Sequence, residues 1–306
     1  SQVSITIARE GEEPFDLTLT REIIEISSVR SRMLEPGYAY LRIAQFRGNT
    51  GEEFAEELQE LLNQEADLKG LVLDLRNNPG GVLQASVSVV DAFIDSGDIV
   101  STKGRLEDSR SSYSASMQTI APETPLVVLI NNGSASASEI VAGALQDHGR
   151  ALIMGTDSFG KGSVQTVLPL AADKAIKLTT SLYYTPSGRS IQAQGIIPDI
   201  EVEEAFVTRR SRSVTQYKES DLAGHLENGN ETEAATGMSE NADDSDAAEE
   251  ESKEGQSDLS AAELAQVLIS AEEVLVNDYP LNEALNVLKG INAYKPLAEK
   301  RAALAL

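Results

Sequence analysis

The sequence predicts an α/β fold built on a largely parallel sheet with helices on both faces. Apolar strands and amphipathic helices alternate from Tyr38 to Gly155, an order typical of parallel sheets. Within that stretch, residues 70–75 are almost wholly apolar, as expected of a strand buried on both faces. The 306 residues provide for one large domain with attachments, or for two modest domains.

The N-terminal segment predicts a β-hairpin. Residues 3–7 and 15–19 alternate between apolar and polar side chains, and a Gly-Glu-Glu-Pro turn separates them. A hairpin this small cannot bury a core of its own. We therefore expect it to be the end of a domain whose start lies outside this chain, or the edge of the next domain.

The body of the chain predicts three helices among its strands. Helices are expected over residues 51–64, 82–94 and 140–147, and strands over residues 38–43, 70–75, 99–102, 126–130 and 151–155. Residues 103–124 are polar without a clear period, which indicates a surface excursion. A strand over 177–184 and a Pro-Gly turn over 185–188 follow, and residues 195–200 complete this part.

The C-terminal third changes in character. Residues 219–258 hold fourteen Asp and Glu against one Lys, and the net charge of the whole chain is −24. Such a composition predicts a disordered linker over residues 206–258. Helix is expected to resume at Ser260, to stop at Pro280 and to begin again over 281–288. These helices have no core of their own, so we expect them to dock onto the body or onto another chain.

Composition excludes several classes of function. The acidic charge disfavours nucleic-acid binding, which needs a basic surface to neutralise phosphates. No apolar run approaches the eighteen residues of a transmembrane helix. The chain has no Cys and only two His, which argues against disulfides and zinc sites, and we expect no metal or cofactor. Without an initiating Met or a signal-peptide pattern, the chain is expected to be a piece of a longer one.

Three serines at the start of the helix over 140–147 are candidate nucleophiles: Ser134, Ser136 and Ser138. They follow an apolar strand through a turn of small residues. The simpler interpretation is that Ser134 or Ser136 only caps the helix, with Glu139 in support. The surrounding residues decide between the two interpretations.

A serine nucleophile needs a base, and neither histidine can supply one to Ser136. His148 lies twelve residues further along the same predicted helix, roughly 18 Å away, and His225 lies in the acidic linker. Lys161 is the remaining candidate, and it would act as a base if apolar neighbours such as Val164 and Phe159 disfavour its charge.

Two further features extend the Ser/Lys hypothesis, although a surface lysine in a glycine turn is the simpler interpretation of Lys161 by itself. Gln165, four residues after Lys161, is a neutral amide that could orient the amine by hydrogen bonding. Acyl transfer also requires N–H donors for the oxyanion, and the Gly80-Gly81 pair together with the N–H of Ala137 could provide them.

Four motifs together resemble the carboxyl-terminal processing proteases, also called tail-specific proteases. They are residues 70–81 (GLVLDLRNNPGG), 134–139 (SASASE), 159–165 (FGKGSVQ) and 184–191 (YTPSGRSI). The resemblance implies that Ser136 is the nucleophile, that Lys161 is the base, and that Gln165 supports the lysine. It also implies a crotonase-like α/β core accompanied by a PDZ domain, and a location outside the cytoplasm, in the bacterial periplasm or the thylakoid lumen.

The resemblance organises the chain into four parts. Residues 1–28 resemble the end of a PDZ domain, residues 29–205 the Ser/Lys protease core, residues 206–258 a linker and residues 259–306 a helical assembly segment. The implied activity is endoproteolysis of protein substrates near small or apolar C-termini, with a homo-oligomer and an adaptor or activator as expected partners. Two alternatives remain at this point: a non-catalytic partner-binding protein on the same fold, and acyl-thioester chemistry of the crotonase type.

Overall fold

The structure is a computed structural model that describes residues 1–9, 11, 13–22, 27–105, 110–117, 119–171, 174–205 and 278–304. These residues form four helices: α1 (Thr50–Gln64), α2 (Leu83–Asp91), α3 (Ala137–Asp147) and α4 (Tyr279–Leu304). They also form the strands β1 (Gln2–Ile7), β2 (Phe15–Thr20), β3 (Val29–Glu35), β4 (Tyr38–Ile43), β5 (Gly70–Asp74), β6 (Asp98–Gly104), β7 (Ser111–Ser114), β8 (Leu126–Ile130), β9 (Leu152–Gly155), β10 (Ser163–Ala171), β11 (Lys174–Tyr184) and β12 (Ile200–Glu201). The acidic linker predicted over 206–258 and the helix expected at Ser260 lie outside the described residues.

A six-stranded sheet in the order β12-β9-β8-β5-β4-β3 forms the centre of the fold. All neighbours in it are parallel except β3, which pairs with β4 in the antiparallel sense. The predicted largely parallel sheet is thereby confirmed.

Both faces of the central sheet are buried, because its strands alternate apolar side chains between two cores. In β5, Leu71 and Leu73 join the core formed with α1, α2 and α3, while Val72 joins a second core on the opposite face. Strands buried on both sides need apolar residues at consecutive positions, which explains the continuous apolar run of β5.

Helix α4 covers the second face of the sheet. Its buried residues Leu281, Ala284, Leu285 and Leu288 pack against β4, β5, β8 and β9. The helix predicted over 281–288 is confirmed as part of α4, which is longer than predicted, whereas the helix expected to end at Pro280 lies outside the described residues. Pro280 lies in the first turn of a single helix that continues to Leu304, and there its missing N–H leaves no intrahelical bond unmade.

A second, four-stranded sheet runs antiparallel in the order β10-β11-β6-β7. Its strand β7 lies inside the segment expected to be a surface excursion, and β3 and β10 were not predicted at all. Strands β1 and β2 form the predicted hairpin, which pairs Val3 with Leu19 and Ile7 with Phe15. No helix among the described residues is long and apolar enough to cross a membrane.

Candidate active site

Three loops converge at one edge of the central sheet because they leave neighbouring parallel strands. Strands β5, β8 and β9 are adjacent, and the carboxyl ends of parallel strands lie at the same edge. The glycine loop, residues 75–82, follows β5. The nucleophile turn, residues 131–136, follows β8, and the lysine loop, residues 156–162, follows β9. The candidate serine, lysine and glycines therefore meet although they are distant in sequence.

Ser136 occupies a strained position directly before α3. Its backbone has φ 56° and ψ −109°, a combination that residues with a side chain rarely adopt. The sharp turn leaves the residue half-buried. A serine on a strained strand-to-helix turn is the arrangement that exposes the nucleophilic hydroxyl in α/β-hydrolases.

The other two serines are structural. Ser134 and Ser138 are fully buried, and each donates its hydroxyl hydrogen to a carbonyl of the glycine loop. Ser134 Oγ lies 2.8 Å from the Leu75 oxygen, and Ser138 Oγ lies 2.9 Å from the Asn78 oxygen. Ser136 forms a capping box with Glu139 at the start of α3, as the simpler interpretation expected, but among the described residues its hydroxyl hydrogen has no acceptor. Ser136 is therefore the candidate nucleophile among the three.

Glu139 joins the nucleophile turn to the lysine loop. This fully buried carboxylate accepts four hydrogen bonds. Its Oε2 accepts from the backbone N–H of Ser136 at 2.7 Å and of Lys161 at 2.9 Å. Its Oε1 accepts from the backbone N–H of Gly160 and from Ser158 Oγ, both at 2.6 Å. The amide nitrogens of Ser136 and Lys161 consequently lie no more than 5.6 Å apart, the sum of the 2.7 Å and 2.9 Å bonds.

The glycines on either side of Lys161 are required by a close backbone approach. A Cβ at Gly162 would lie 2.4 Å from the nitrogen of Gln192, and Gly160 has a φ of 86°. The Gly160 oxygen accepts from the N–H of Ala193 at 2.9 Å. The segment around residues 191–195 therefore packs directly against the backbone of the lysine loop and fixes its position.

The glycine loop presents one unengaged N–H beside the nucleophile turn. Gly80 donates its N–H to Asn78 Oδ1 at 2.9 Å, so it is not available to a ligand. Gly81 is exposed, and among the described residues its N–H has no acceptor. On either side of Gly81, the Gly80 oxygen accepts from the N–H of Phe46, and the N–H of Val82 donates to the Phe46 oxygen. A Cβ at Gly81 would lie 1.8 Å from that oxygen. Only glycine fits there.

Ala137 offers the second candidate donor. As the first residue of α3 its N–H has no partner within the helix, and none of the described residues accepts from it. The two loops are in direct contact here, because a Cβ at Gly80 would lie 2.9 Å from the Ala137 nitrogen and 2.9 Å from Ser136 Cβ. The N–H groups of Gly81 and Ala137 thus have no acceptor among the described residues and are available to a ligand.

Asn78 connects the glycine loop to its surroundings. Its Nδ2 donates to the Ile43 oxygen at 2.8 Å, and its own carbonyl accepts from the N–H of Ala135 at 3.0 Å. Its Oδ1 holds Gly80, as described above. The residue is fully buried. Sequence reasoning missed Asn78, since an Asn before Pro-Gly is also the ordinary composition of a turn.

The model of peptidase family S41 matches residues 37–202, more than half of the chain, and the match includes all three loops. The chain belongs to this family. It is 46% identical to a carboxy-terminal-processing protease of Bartonella bacilliformis, over 77% of this chain and 55% of the relative. It is 41% identical to a carboxyl-terminal-processing protease of Synechocystis, over 68% of this chain and 49% of the relative.

The S41 fold is also found among solved structures. A photosystem II D1 C-terminal processing protease superposes with a TM-score of 0.53 and 37% identity, covering 66% of this chain and 56% of that one. The chain spans about half the length of the curated relatives it matches.

Val164 and Phe159 were both expected to be apolar neighbours of the Lys161 amine in this S41 chain. Val164 packs against the main core, and its expected place beside the Lys161 amine stays a prediction. Phe159 was expected to shield the lysine and does not, because its side chain is 67% exposed. Its N–H is directed to the Ser134 oxygen at 3.0 Å, which fixes its backbone against the nucleophile turn.

Among the described residues, no hydrogen bonds join the side chains of Ser136, Lys161 and Gln165. Gln165 is exposed at an irregularity of β10, and among the described residues no hydrogen bond joins its amide to Lys161. Likewise, no hydrogen bond between described residues joins Ser136 Oγ to Lys161 Nζ. His148 lies at the far end of α3 and contacts the Asp98 oxygen, while His225 lies outside the described residues. The described residues contain no cluster of His, Asp and Glu suited to a metal ion.

Proposed function

We propose that this chain carries the catalytic centre of a serine endopeptidase, with Ser136 as nucleophile and Lys161 as general base. The observation that supports this most is the Glu139 carboxylate, which holds the backbones of both residues within 5.6 Å, the sum of its bonds of 2.7 Å and 2.9 Å. The unengaged N–H groups of Gly81 and Ala137 beside the serine add the second requirement of acyl transfer.

Each step of the proposed reaction has a group in this chain. Ser136 Oγ attacks the carbonyl carbon of the scissile bond, and its proton passes to Lys161 Nζ. The N–H groups of Gly81 and Ala137 donate to the oxyanion. When the C–N bond breaks, Lys161 returns the proton to the leaving amine. Lys161 then removes a proton from the water that attacks the acyl-enzyme, and it gives that proton to Ser136 Oγ when the bond between Oγ and the acyl carbon breaks and the new C-terminal acid leaves.

The reach of Lys161 is compatible with this role. The lysine side chain is a flexible four-carbon stem with a compact charged end, and its backbone is anchored beside that of the serine. We assign Gln165 the role of orienting the amine, an assignment that rests on the family resemblance. It would require the exposed amide of Gln165 to turn towards the lysine when substrate binds.

The proposal extends to organisation, substrates and location. We infer a crotonase-like core over residues 29–205, the end of a PDZ domain over 1–28, a linker over 206–258 and an assembly segment over 259–306. Substrates would be proteins with small or apolar C-termini, cleaved near that end in the bacterial periplasm by a homo-oligomer assisted by an adaptor or activator. The names of the relatives, which are carboxyl-terminal processing proteases, support the substrate class.

Two substitutions test the catalytic roles. We expect Ser136→Ala and Lys161→Ala to abolish cleavage of an unfolded protein with an apolar C-terminus while the circular dichroism spectrum stays unchanged. The matched controls are Ser187→Ala, a serine in the turn after β11, and Lys177→Ala, an exposed lysine on β11. Full activity in either site variant would contradict the assignment.

A chemical probe separates an enzyme from a non-catalytic binder on the same fold. A fluorophosphonate should label the wild-type chain on Ser136, as located by mass spectrometry, and should label Lys161→Ala more slowly. Because only an uncharged amine accepts a proton, the labelling rate should also rise with pH. A chain that binds unfolded protein but is never labelled on Ser136 would be a binder rather than a peptidase.

A further inference from the structure

Arg76 connects the glycine loop to the C-terminal helix through two carboxylates. Its Nε and Nη2 donate to Asp74 at 2.9 Å and 2.7 Å. Its Nη1 and Nη2 also donate to Asp278 at 2.8 Å and 2.7 Å. Asp278 lies 202 residues away in sequence, directly before α4. The guanidinium is therefore held between two fork-shaped contacts, one with the last residue of β5 and one with the residue before α4.

The contact is shielded from water. Arg76 is 8% exposed and Asp74 is completely buried, with a further hydrogen bond to Asp74 from the Tyr40 hydroxyl at 2.8 Å. Asp278 is half-buried, and without it Asp74 would still balance the charge of Arg76, but the Nη1 group of this buried side chain would lose its acceptor. Loss of Asp278 would consequently be felt at Arg76.

Arg76 stands next to the residues that form the candidate oxyanion site. The carbonyl of Leu75, just before it, accepts the Ser134 hydroxyl of the nucleophile turn. Two residues after Arg76, the side chain of Asn78 accepts from the N–H of Gly80, the residue directly before Gly81. A displacement of Arg76 would therefore be transmitted to both loops around Ser136.

Asp278 also caps α4, and this second role is separable from the first. Its Oδ1 accepts from the N–H of Leu281 at 3.1 Å, and its carbonyl accepts from the N–H of Asn282 at 3.0 Å. The same side chain thus begins the helix that covers the sheet and clamps the arginine of the glycine loop.

We propose that Asp278 is a positioning residue for the oxyanion site: through Arg76 it makes the geometry of residues 77–81 depend on the seating of α4. The inference rests on the proposed peptidase function for its catalytic consequence. The structural consequence, a less ordered glycine loop when the clamp is absent, does not require the chain to be a peptidase.

Two variants of Asp278 separate the clamp from the cap. Asp278→Ser keeps a favourable capping residue but removes the carboxylate from Arg76. Asp278→Glu keeps a carboxylate within reach of Arg76 but is a poorer cap. The control is Lys289→Gln, which breaks the pair of the same helix with Glu35, an exposed contact of 2.6 Å. It lies eleven residues further along, about 16 Å at the helical rise.

The kinetic test compares kcat and KM for cleavage of an unfolded protein by the full chain. We expect Asp278→Ser to lower kcat about tenfold, as misplaced catalytic groups do, with KM changed less than about twofold. Asp278→Glu should retain most of kcat, and Lys289→Gln should match the wild type. A fall in kcat for Glu as large as for Ser would assign the effect to the cap and overturn the proposal.

Hydrogen–deuterium exchange gives a readout that does not depend on proteolysis. Amides of residues 77–82 should exchange faster in Asp278→Ser than in the wild type or in Lys289→Gln, at a temperature where all three remain folded. Unchanged exchange in this loop overturns the inference even if the wild type is an active peptidase. Faster exchange in a chain that never cleaves protein would support the inference and contradict the proposed function.

Discussion

Replacing Glu139 with Gln tests the contact that holds the nucleophile turn to the lysine loop. The carboxylate accepts from four donors: the backbone N–H groups of Ser136, Lys161 and Gly160, and the hydroxyl of Ser158. A glutamine has one acceptor oxygen, and its NH₂ group must face two of those donors. If the NH₂ group faces the N–H groups of Ser136 and Lys161, both of their bonds to residue 139 are broken. In the other orientation the NH₂ group faces Ser158 and Gly160.

The second orientation of the amide at position 139 destabilises the fold less, so it determines the expected change in the free energy of unfolding. The Ser158 oxygen already accepts from the N–H of Ile196 at 2.7 Å and can accept a second bond from the NH₂ group, at the cost of the acceptor for its own hydrogen, whereas the N–H of Gly160 cannot accept at all. One hydrogen bond to a charged group is then lost, worth about 1.5–3 kcal/mol, and part of that loss is offset because a buried charge is removed. We expect Glu139→Gln to lower the free energy of unfolding by about 2 kcal/mol. We expect kcat to fall about tenfold, because Gly160 is displaced next to Lys161.

The assay combines urea unfolding, followed by circular dichroism, with cleavage of an unfolded protein. Glu60→Gln, an exposed residue of α1, is the control for the chemical change alone. Glu139→Ala leaves all four donors without an acceptor, and we expect that variant not to reach the native state. A Glu139→Gln chain that unfolds and cleaves like the wild type would refute the role of the carboxylate.

Two further predictions concern the glycine loop and acid stability. Gly81→Ala should reduce kcat at least about 100-fold, since a Cβ would displace the oxyanion donor from Phe46. Gly188→Ala, a glycine at positive φ with open space around it, should leave kcat unchanged. Burial would raise the pKa of Asp278, but hydrogen bonds and charge from Arg76 outweigh it and hold the pKa below its usual range. A carboxyl group of lowered pKa stabilises the fold above its ordinary pKa and loses that contribution as pH falls. Wild-type stability should therefore decline below pH 3.8, the ordinary value, and the acid transition of Asp278→Asn should be shallower.

Much of the architecture could be predicted from local pattern. The alternation of strands and helices between Tyr38 and Gly155 was sufficient for a largely parallel sheet, because periodicity and apolar runs are properties of neighbouring residues. Strand β10 escaped prediction, since its apolar residues Val167, Leu168 and Leu170 are largely exposed and follow no buried face. The length of α4 also escaped prediction, because it runs through Gly290 and Pro296, two residue types that disfavour a helix interior.

In the candidate site, too, local motifs predicted part of the arrangement and long-range contacts decided the rest. The motifs named Ser136, Lys161 and Gly81 because chemistry restricts which residue types can be nucleophile, base and oxyanion donor. The chemistry of the residues alone left three serines as candidates, and Ser136 was chosen from them by the family resemblance. The structure adds that the hydroxyls of Ser134 and Ser138 are occupied by carbonyls of a loop about sixty residues away.

Glu139 was predicted to support a helix cap, and the structure confirms that role, but the sequence showed neither its bonds to the lysine loop nor any role for Asp278. Their partners are separated from them by 22 and 202 positions, and only the packing of sheet, helix and loops brings those atoms together. Residue types and their spacing are local and can be read along the chain. The orientation that makes a buried carboxylate hold two loops is a property of long-range contacts, and it exists only once the chain has folded.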